Sequence, residues 1–290
     1  MNRALSTLVP PLTCGLLAAL AAVSCSQEAP LPGEIAVDDQ AIIHGQTSTT
    51  AQNGIVMLRI ANQAICTGSL IAPNLVLTAR HCVSDTDESL SCAPDGHALS
   101  GGKVYTDYDP AEIVVYTGLQ KSSLHARARG AQILHDGADN LCNHDLALVV
   151  LDRPVTQVPI VPLRLKETTH VGELVTSVGW GLTQSGTLPT ARMQRQKVPV
   201  VDVGPSRTTP SNDLVVGEAI CSGDSGGPAL SAKGAVIGVV SSGGNGRNDP
   251  NHPAAGCIGR DTTNVYTRLA PFTKLIRDAF SEAGAKPKLE

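Results

Sequence analysis

The chain has 290 residues, 42% hydrophobic and 17% charged, with 22 Lys+Arg against 26 Asp+Glu, 28 Gly, 19 Pro and 8 Cys. A formal charge of −4 lacks the clustered Lys and Arg that phosphate neutralisation needs, so no nucleic-acid partner is expected. Sparse charge and the absence of a strict Gly/Pro repeat also exclude a coiled coil, a collagen and a charged disordered tail.

Asn2-Arg3 leads through Leu16-Leu17-Ala18-Ala19-Leu20-Ala21-Ala22-Val23 to Ser24 and Cys25, an apolar run too short to span a bilayer comfortably and broken by Pro10 and Pro11. This predicts a cleaved export signal over 1–24 rather than a buried core helix. Ala22-Val23-Ser24-Cys25 resembles a bacterial lipobox, with Ala22 where Leu is usual, and makes Cys25 the expected lipidation site; ordinary signal cleavage is the alternative. The expected location is therefore outside the cytoplasm, as a membrane-anchored lipoprotein or a secreted or periplasmic protein, with the membrane reached only through that anchor. Cys66, Cys82, Cys92, Cys142, Cys221 and Cys257 remain after export. They suggest three disulfides of open connectivity, and none of their spacings forms the paired C-x-x-C of a zinc site. No metal or other cofactor is expected.

Residues 25–41 read as a linker or short pro-segment, rich in Pro, Gly and acidic residues, and the folded domain is expected to run from Ile42 to Phe280. Short β-rich runs punctuated by Gly, Pro, Asn and Asp follow: Ile55 to Ile60, Ala64 to Ile71, Leu75 to Ala79, Ile113 to Thr117, Leu146 to Leu151, Leu174 to Val178 and Val236 to Ser241. The series predicts an all-β sandwich or barrel without alternating βαβ units. Near the end, Pro271 suits a first helical turn, and Phe272, Leu275, Ile276, Ala279 and Phe280 recur at i, i+3, i+4, i+7 and i+8, which predicts one helix with a buried face. Residues 281–290 are expected as a polar tail. No internal sequence repeat is visible.

Three strings hold the chemistry. In Cys221-Ser222-Gly223-Asp224-Ser225-Gly226-Gly227-Pro228, glycines flank a serine and allow the backbone to turn its N–H groups toward one point. Leu77-Thr78-Ala79-Arg80-His81-Cys82 ends an apolar strand on a histidine beside a cysteine. His144-Asp145-Leu146-Ala147-Leu148-Val149 opens a buried strand with a carboxylate. Serine is a poor nucleophile until an imidazole takes its proton, and that imidazole needs a buried carboxylate to fix its tautomer. Asp136, Asp139 and Asp152 compete for the acid but sit in turn-like or exposed contexts, and His144 reads as a surface residue. There is no H-E-x-x-H zinc motif and no G-x-S-x-G elbow around Ser225.

Thr78-Ala79-Arg80-His81-Cys82, Asp145-Leu146-Ala147-Leu148 and Gly223-Asp224-Ser225-Gly226-Gly227-Pro228 resemble the TAAHC, D-I-A-L and GDSGGP motifs of the trypsin/chymotrypsin family of serine peptidases, in the same order. The resemblance covers about Ile42 to Phe280. It implies two six-stranded antiparallel β-barrels packed together, a boundary near 155–170, a cleft between them and a C-terminal α-helix. It makes His81 the general base, Asp145 its orienting carboxylate and Ser225 the nucleophile, with the N–H groups of Gly223 and Ser225 as the oxyanion hole. It also implies Cys66–Cys82 and Cys221–Cys257 bridges, which leaves Cys92 and Cys142 as a pair the family does not ordinarily have.

By the same resemblance the base of the primary pocket is Ala219, with Ile220 beside it and walls from Ser241, Ser242, Gly243 and Asn264. No carboxylate stands at the base, unless Glu218 turns inward, and Asn264 replaces the Gly of open pockets. Small or medium uncharged P1 residues are therefore expected. Ile42-Ile43-His44-Gly45 resembles the family's mature start, which implies that a freed Ile42 α-amine pairs with Asp224; Ala41 before the cut would fit the enzyme's own pocket. The resulting expectation is a bacterial-type, monomeric serine endopeptidase acting on polypeptide substrates. The alternatives are a catalytically inactive protease-like binding module or an ester hydrolase using the same triad.

Overall fold

The computed structural model describes residues 42–290 apart from Asn62, Gln63 and Glu167. The expected signal, the linker and Cys25 lie outside the described residues. The first barrel consists of β1 (Ile55–Ile60), β2 (Ala64–Ala72), β3 (Leu75–Thr78), β4 (Ile113–Thr117), β5 (His125–Leu134) and β6 (Ala147–Leu151). The second consists of β7 (Leu174–Gly179), β8 (Met193–Val203), β9 (Asp213–Val216), β10 (Pro228–Leu230), β11 (Val236–Gly244) and β12 (Thr263–Arg268), followed by α1 (Thr273–Glu282). Every pairing is antiparallel. The first barrel closes in the order β1-β2-β3-β6-β5-β4, and the second closes in the order β7-β8-β9-β12-β11-β10. The two barrels thus share one strand order, although the sequence shows no repeat.

Side-chain alternation explains why the runs at β3 and β6 are apolar throughout. Val76, Ala147 and Val149 point into the first barrel, while Leu75, Leu77, Leu146 and Leu148 face a second core at the seam with Leu230, Val236 and Val239. Strands buried on both faces lose the polar half of the period-2 pattern. The two Phe of the chain join that seam, Phe272 from the turn before the helix and Phe280 from the helix itself, together with Ile276 and Ala279. The helix begins at Thr273 after a 3-10 turn over Ala270–Phe272, so Pro271 starts that turn and not α1 itself.

The tail over 281–290 continues α1 to Glu282 and its end is docked. Leu289 bridges to Leu163, the Glu290 amide donates to the Leu163 carbonyl at 3.0 Å, and Ser231 Oγ donates to the Glu290 carboxylate at 3.0 Å. Backbone hydrogen bonding accounts for this, because the strand-like end pairs with Leu163 on the segment that joins the two barrels.

Arg192, which enters β8, is fully buried with no carboxylate partner among the described residues. Its guanidinium donates to Ser48 Oγ (2.8 Å), Asn53 Oδ1 (3.0 Å) and the carbonyls of Thr49 (3.1 Å), Ile55 (3.1 Å) and Gly118 (3.3 Å). Burial lowers its pKa to about 10, so it stays charged at neutral pH and pins the 48–53 segment against the first barrel. Arg192→Met strands these acceptors. It is expected to cost about 3–5 kcal/mol and to lower the melting temperature by on the order of 10 °C, measured by thermal denaturation; a change below about 2 °C would contradict this role.

Candidate active site

The register of two strands sets the first contact. Ala147 on β6 pairs with Thr78 on β3, so the turn just past β3 lies beside the residues that open β6. That turn, Arg80–Cys82, holds His81, and Asp145 stands two residues before β6. His81 Nδ1 is 2.8 Å from Asp145 Oδ2, and the His81 amide donates to Asp145 Oδ1 at 3.0 Å. Asp145 is fully buried. From β11 of the other barrel, Ser241 Oγ donates to Asp145 Oδ2 at 2.7 Å. Burial works to lower the His81 pKa, but attraction and hydrogen bonding to Asp145 outweigh it and leave the ring above its ordinary value.

Ser225 lies on the loop before β10 and lines the same cleft as His81 and Asp145. Its hydroxyl makes no hydrogen bond to the ring. The loop is held from the first barrel by Thr67 on β2: the Thr67 amide donates to the Ser225 carbonyl at 2.8 Å and its hydroxyl to the Gly223 carbonyl at 3.0 Å. No sequence signal marked Thr67. Gly226 takes φ +75°, and a Cβ there would run into Thr78 Oγ1 and the Thr67 carbonyl, so the residue after Ser225 has to be glycine. Among the described residues the amides of Gly223 and Ser225 donate to no acceptor, while those of Asp224, Gly226 and Gly227 are all used. Two unspent donors beside a serine can receive an anionic oxygen.

Asp224 is fully buried. Its carboxylate accepts from the Gly181 amide at 2.7 Å and the Cys221 amide at 2.9 Å. Burial pushes its pKa up to about 7, against those two bonds, and no cation pairs with it among the described residues. Ile42 is fully buried too, in the second barrel core with Ala219, Ile220 and Tyr266.

The cleft has a volume of about 970 Å³. Ile220, Ser241, Ser242, Gly243 and Asn264 line it as expected, but Ala219 does not. Ala219 and Ile220 both pack into the barrel core, and Ile220 also reaches the cleft. The Asn264 side chain donates to the Gly217 carbonyl at 2.7 Å. Glu218 faces away, into a separate groove, where its carboxylate meets the Gly259 amide (2.5 Å), His44 Nε2 (3.1 Å) and Arg195 (3.4 Å). Asp213, 4% exposed, also lines the cleft, and burial together with repulsion from Asp145 pushes its pKa up to about 7. An acid so placed is a weak counter-charge.

The opposite wall comes from an insertion between β3 and β4, in which Ser84–Thr86 pairs with Val104–Asp107 and Leu90–Cys92 with Ala98–Gly101. The structure joins Cys66 to Cys82, Cys92 to Cys142 and Cys221 to Cys257. The second bridge ties the insertion to the segment entering Asp145. Three disulfides suit an oxidising, extracellular setting. Cys66, His81 and Cys82 lie close enough to hold a metal, but both sulfurs are spent in a disulfide and offer no thiolate. Of the rival acids, Asp136 binds His144 and Asp152 binds Arg153 and the Arg129 amide.

Two closed β-barrels with serine, histidine and a buried aspartate gathered in one cleft define the class of chymotrypsin-like serine peptidases. The chain belongs to the Trypsin family, which residues 42–276 match. Among curated proteins it is similar to phenoloxidase-activating factor 3 of Holotrichia diomphalia (29% identity, over 61% of this chain and 56% of that one). It is also similar to seminase of Drosophila melanogaster (28%, 78% and 77%) and trypsin of Squalus acanthias (28%, 74% and 86%). The chain spans little more than half the length of the first of these. All three are animal proteins, so these relatives do not show the bacterial origin expected from the N-terminal string. Among solved structures, neuropsin, a serine protease expressed in the limbic system of mouse brain, superposes with a TM-score of 0.61 at 21% identity, over 82% of this chain and 100% of that one. At that identity it speaks to the fold.

Proposed function

We propose that this chain is an extracellular serine endopeptidase with His81 as general base, Asp145 as its orienting acid and Ser225 as nucleophile. The observation that supports it best is the chain of hydrogen bonds from Ser241 through Asp145 to His81, facing Ser225 and two unspent amides across one cleft. Ser225 Oγ attacks the scissile carbonyl carbon while its proton passes to His81 Nε2, and the resulting oxyanion takes hydrogen bonds from the Gly223 and Ser225 amides. Collapse breaks the C–N bond, and His81 returns the proton to the leaving amine. Water then repeats the sequence on the acyl-enzyme.

For substrate choice, Glu218 is bound elsewhere and Asn264 fills space beside Gly243. Asp213 lines the cleft only as a weak counter-charge, its pKa pushed up to about 7, so little favours Lys or Arg and cleavage should follow Ala, Val, Leu or residues like them. Digestion of a random peptide library by the wild type, with Ser225→Ala as control, tests both parts. A dominant tryptic pattern would overturn the specificity, and equal cleavage by the two proteins would overturn the mechanism.

Activation by a cut between Ala41 and Ile42 fits the same reading. Ile42 is a β-branched residue held at φ +57°, a strained conformation. Hydrolysis of its N-terminal peptide bond removes that torsion and frees an ammonium for the unpaired Asp224. The linkage sign follows from the raised carboxyl: the uncut protein binds more protons folded than unfolded between about pH 4 and about pH 7, so it loses stability as pH rises through that window. The cost at Asp224 is on the order of 4 kcal/mol. Asp213, also raised to about 7, pulls both forms down over that window, so melting curves of Ser225→Ala precursor and of protein beginning at Ile42 should both fall from about pH 4 to about pH 7, with the precursor falling about twice as steeply. N-terminal sequencing identifies the active form, and full activity in a chain that begins before Ile42 would sink the activation model.

A further inference from the structure

Arg80 stands where the family motif has alanine, one residue before His81. A guanidinium is costly to bury without acceptors, and Arg80 is 6% exposed. Its Nε donates to Ser84 Oγ at 2.6 Å and its Nη2 to Asp107 Oδ1 at 2.8 Å, and Ser84 Oγ donates to the same Asp107 oxygen at 2.7 Å. Ser84 and Asp107 face each other across the first strand pair of the insertion.

The other oxygen of Asp107 meets His135 Nε2 at 3.0 Å. The next residue, Asp136, holds His144 Nδ1 at 2.6 Å, and His144 directly precedes Asp145. Polar contacts and peptide bonds thus alternate along one path: Arg80 to Asp107 to His135, then Asp136 to His144. It begins on the neighbour of His81 and ends on the neighbour of Asp145. Burial raises the Asp107 carboxyl, but Ser84, Arg80 and His135 outweigh it and hold the group below its ordinary value. The hydrogen bond to Asp136 raises His144, on which Asp213 and Asp139 also bear. The path is therefore ionised at its anchoring carboxylate.

We propose that Arg80 is a positioning residue for the hydrolytic step: with Asp107 it fixes the turn that presents His81 to Asp145, so the insertion sets turnover as well as walling the cleft. The proposal rests on the triad reading above. Were the insertion only a wall, it would touch substrate residues beyond the primary pocket and leave turnover of a minimal substrate alone. Misplacing reacting groups by about 1 Å can cost on the order of 100-fold, so turnover is the sensitive readout.

The test uses the full chain after processing, with a small p-nitrophenyl ester that fills only the primary pocket and an extended peptide. Arg80→Met should lower kcat by about tenfold or more on both, with KM within about twofold. Arg80→Lys, which keeps the Asp107 pair and loses the second donor, should recover part of the loss. Asp107→Asn, nearly isosteric and at a partly exposed site, should behave like Arg80→Met and decides the matter if that variant does not fold. An ester kcat within about twofold of wild type in the folded variants, with changes confined to KM for the peptide, overturns the proposal. Ser225→Ala run alongside separates the two failures, because activity surviving there refutes the triad and not the role of Arg80.

Discussion

Ser225→Ala is expected to reduce peptide hydrolysis by on the order of 10⁶-fold and to leave the fold intact. The size follows from losing the nucleophile outright: no acyl-enzyme forms, and what survives is the contribution of the oxyanion amides and substrate binding. The fold should be indifferent because the Ser225 hydroxyl makes no hydrogen bond among the described residues, while the loop is held through main-chain groups. The Thr67 amide binds the Ser225 carbonyl, the Gly226 amide binds the Val240 carbonyl and the Gly227 amide binds the Asp224 carbonyl. Stability within about 0.5 kcal/mol of wild type is therefore expected. A fluorogenic peptide assay with denaturant melts on the same preparations checks both halves. Loss of less than about 100-fold would leave Ser225 without the proposed role.

How far such a site can be read from the chain depends on what holds each residue. His81, Asp145 and Ser225 were legible because short strings surround them whose glycines and apolar residues answer to local geometry. Their supports were not. Thr67 is an ordinary strand threonine until β2 meets the Ser225 loop, and Ser241 was read as a pocket wall although its hydroxyl binds Asp145. Arg80 drew no notice, since its partner Asp107 is 27 residues away.

The strands divide in the same way. Runs rich in Ile, Val and Leu mark β1 and β4 to the residue. By contrast, β5 buries only Ala128 and Gly130 along its length, and β8 has Gln, Arg and Lys through its first half with Pro199 just past its middle. Neither shows a clean apolar run, so cross-strand pairing weighs more than burial in selecting the conformation, and that pairing leaves no local periodicity. The floor of the pocket is hard to place from the chain for a related reason. Counting back from Ser225 reaches Ala219, but whether a small side chain points into a cleft or a core depends on the strand it abuts, and here it joins Ile42 and Tyr266.

Asp145→Asn tests the proposed orienting acid, and its expected effect is a loss of about 10⁴ in kcat. In the native site Oδ1 accepts the His81 amide, and Oδ2 accepts both the His81 ring and the Ser241 hydroxyl. An asparagine that keeps its oxygen on the His81 amide places its NH₂ against Nδ1. That donor forces the ring into the tautomer protonated on Nε2, which cannot take the Ser225 proton. The charge change acts on the same ring: Asp145 is what lifts the His81 pKa against burial, so with the carboxylate gone, burial is left unopposed and the pKa falls. Because catalysis needs the neutral ring, wild-type kcat/KM should rise with pH through a midpoint above the ordinary imidazole value of 6.5, and the residual activity of Asp145→Asn should reach its plateau at lower pH. A pH profile of both proteins on one peptide substrate measures the pair of effects, and an acid limb that stays in place despite the substitution would separate Asp145 from His81.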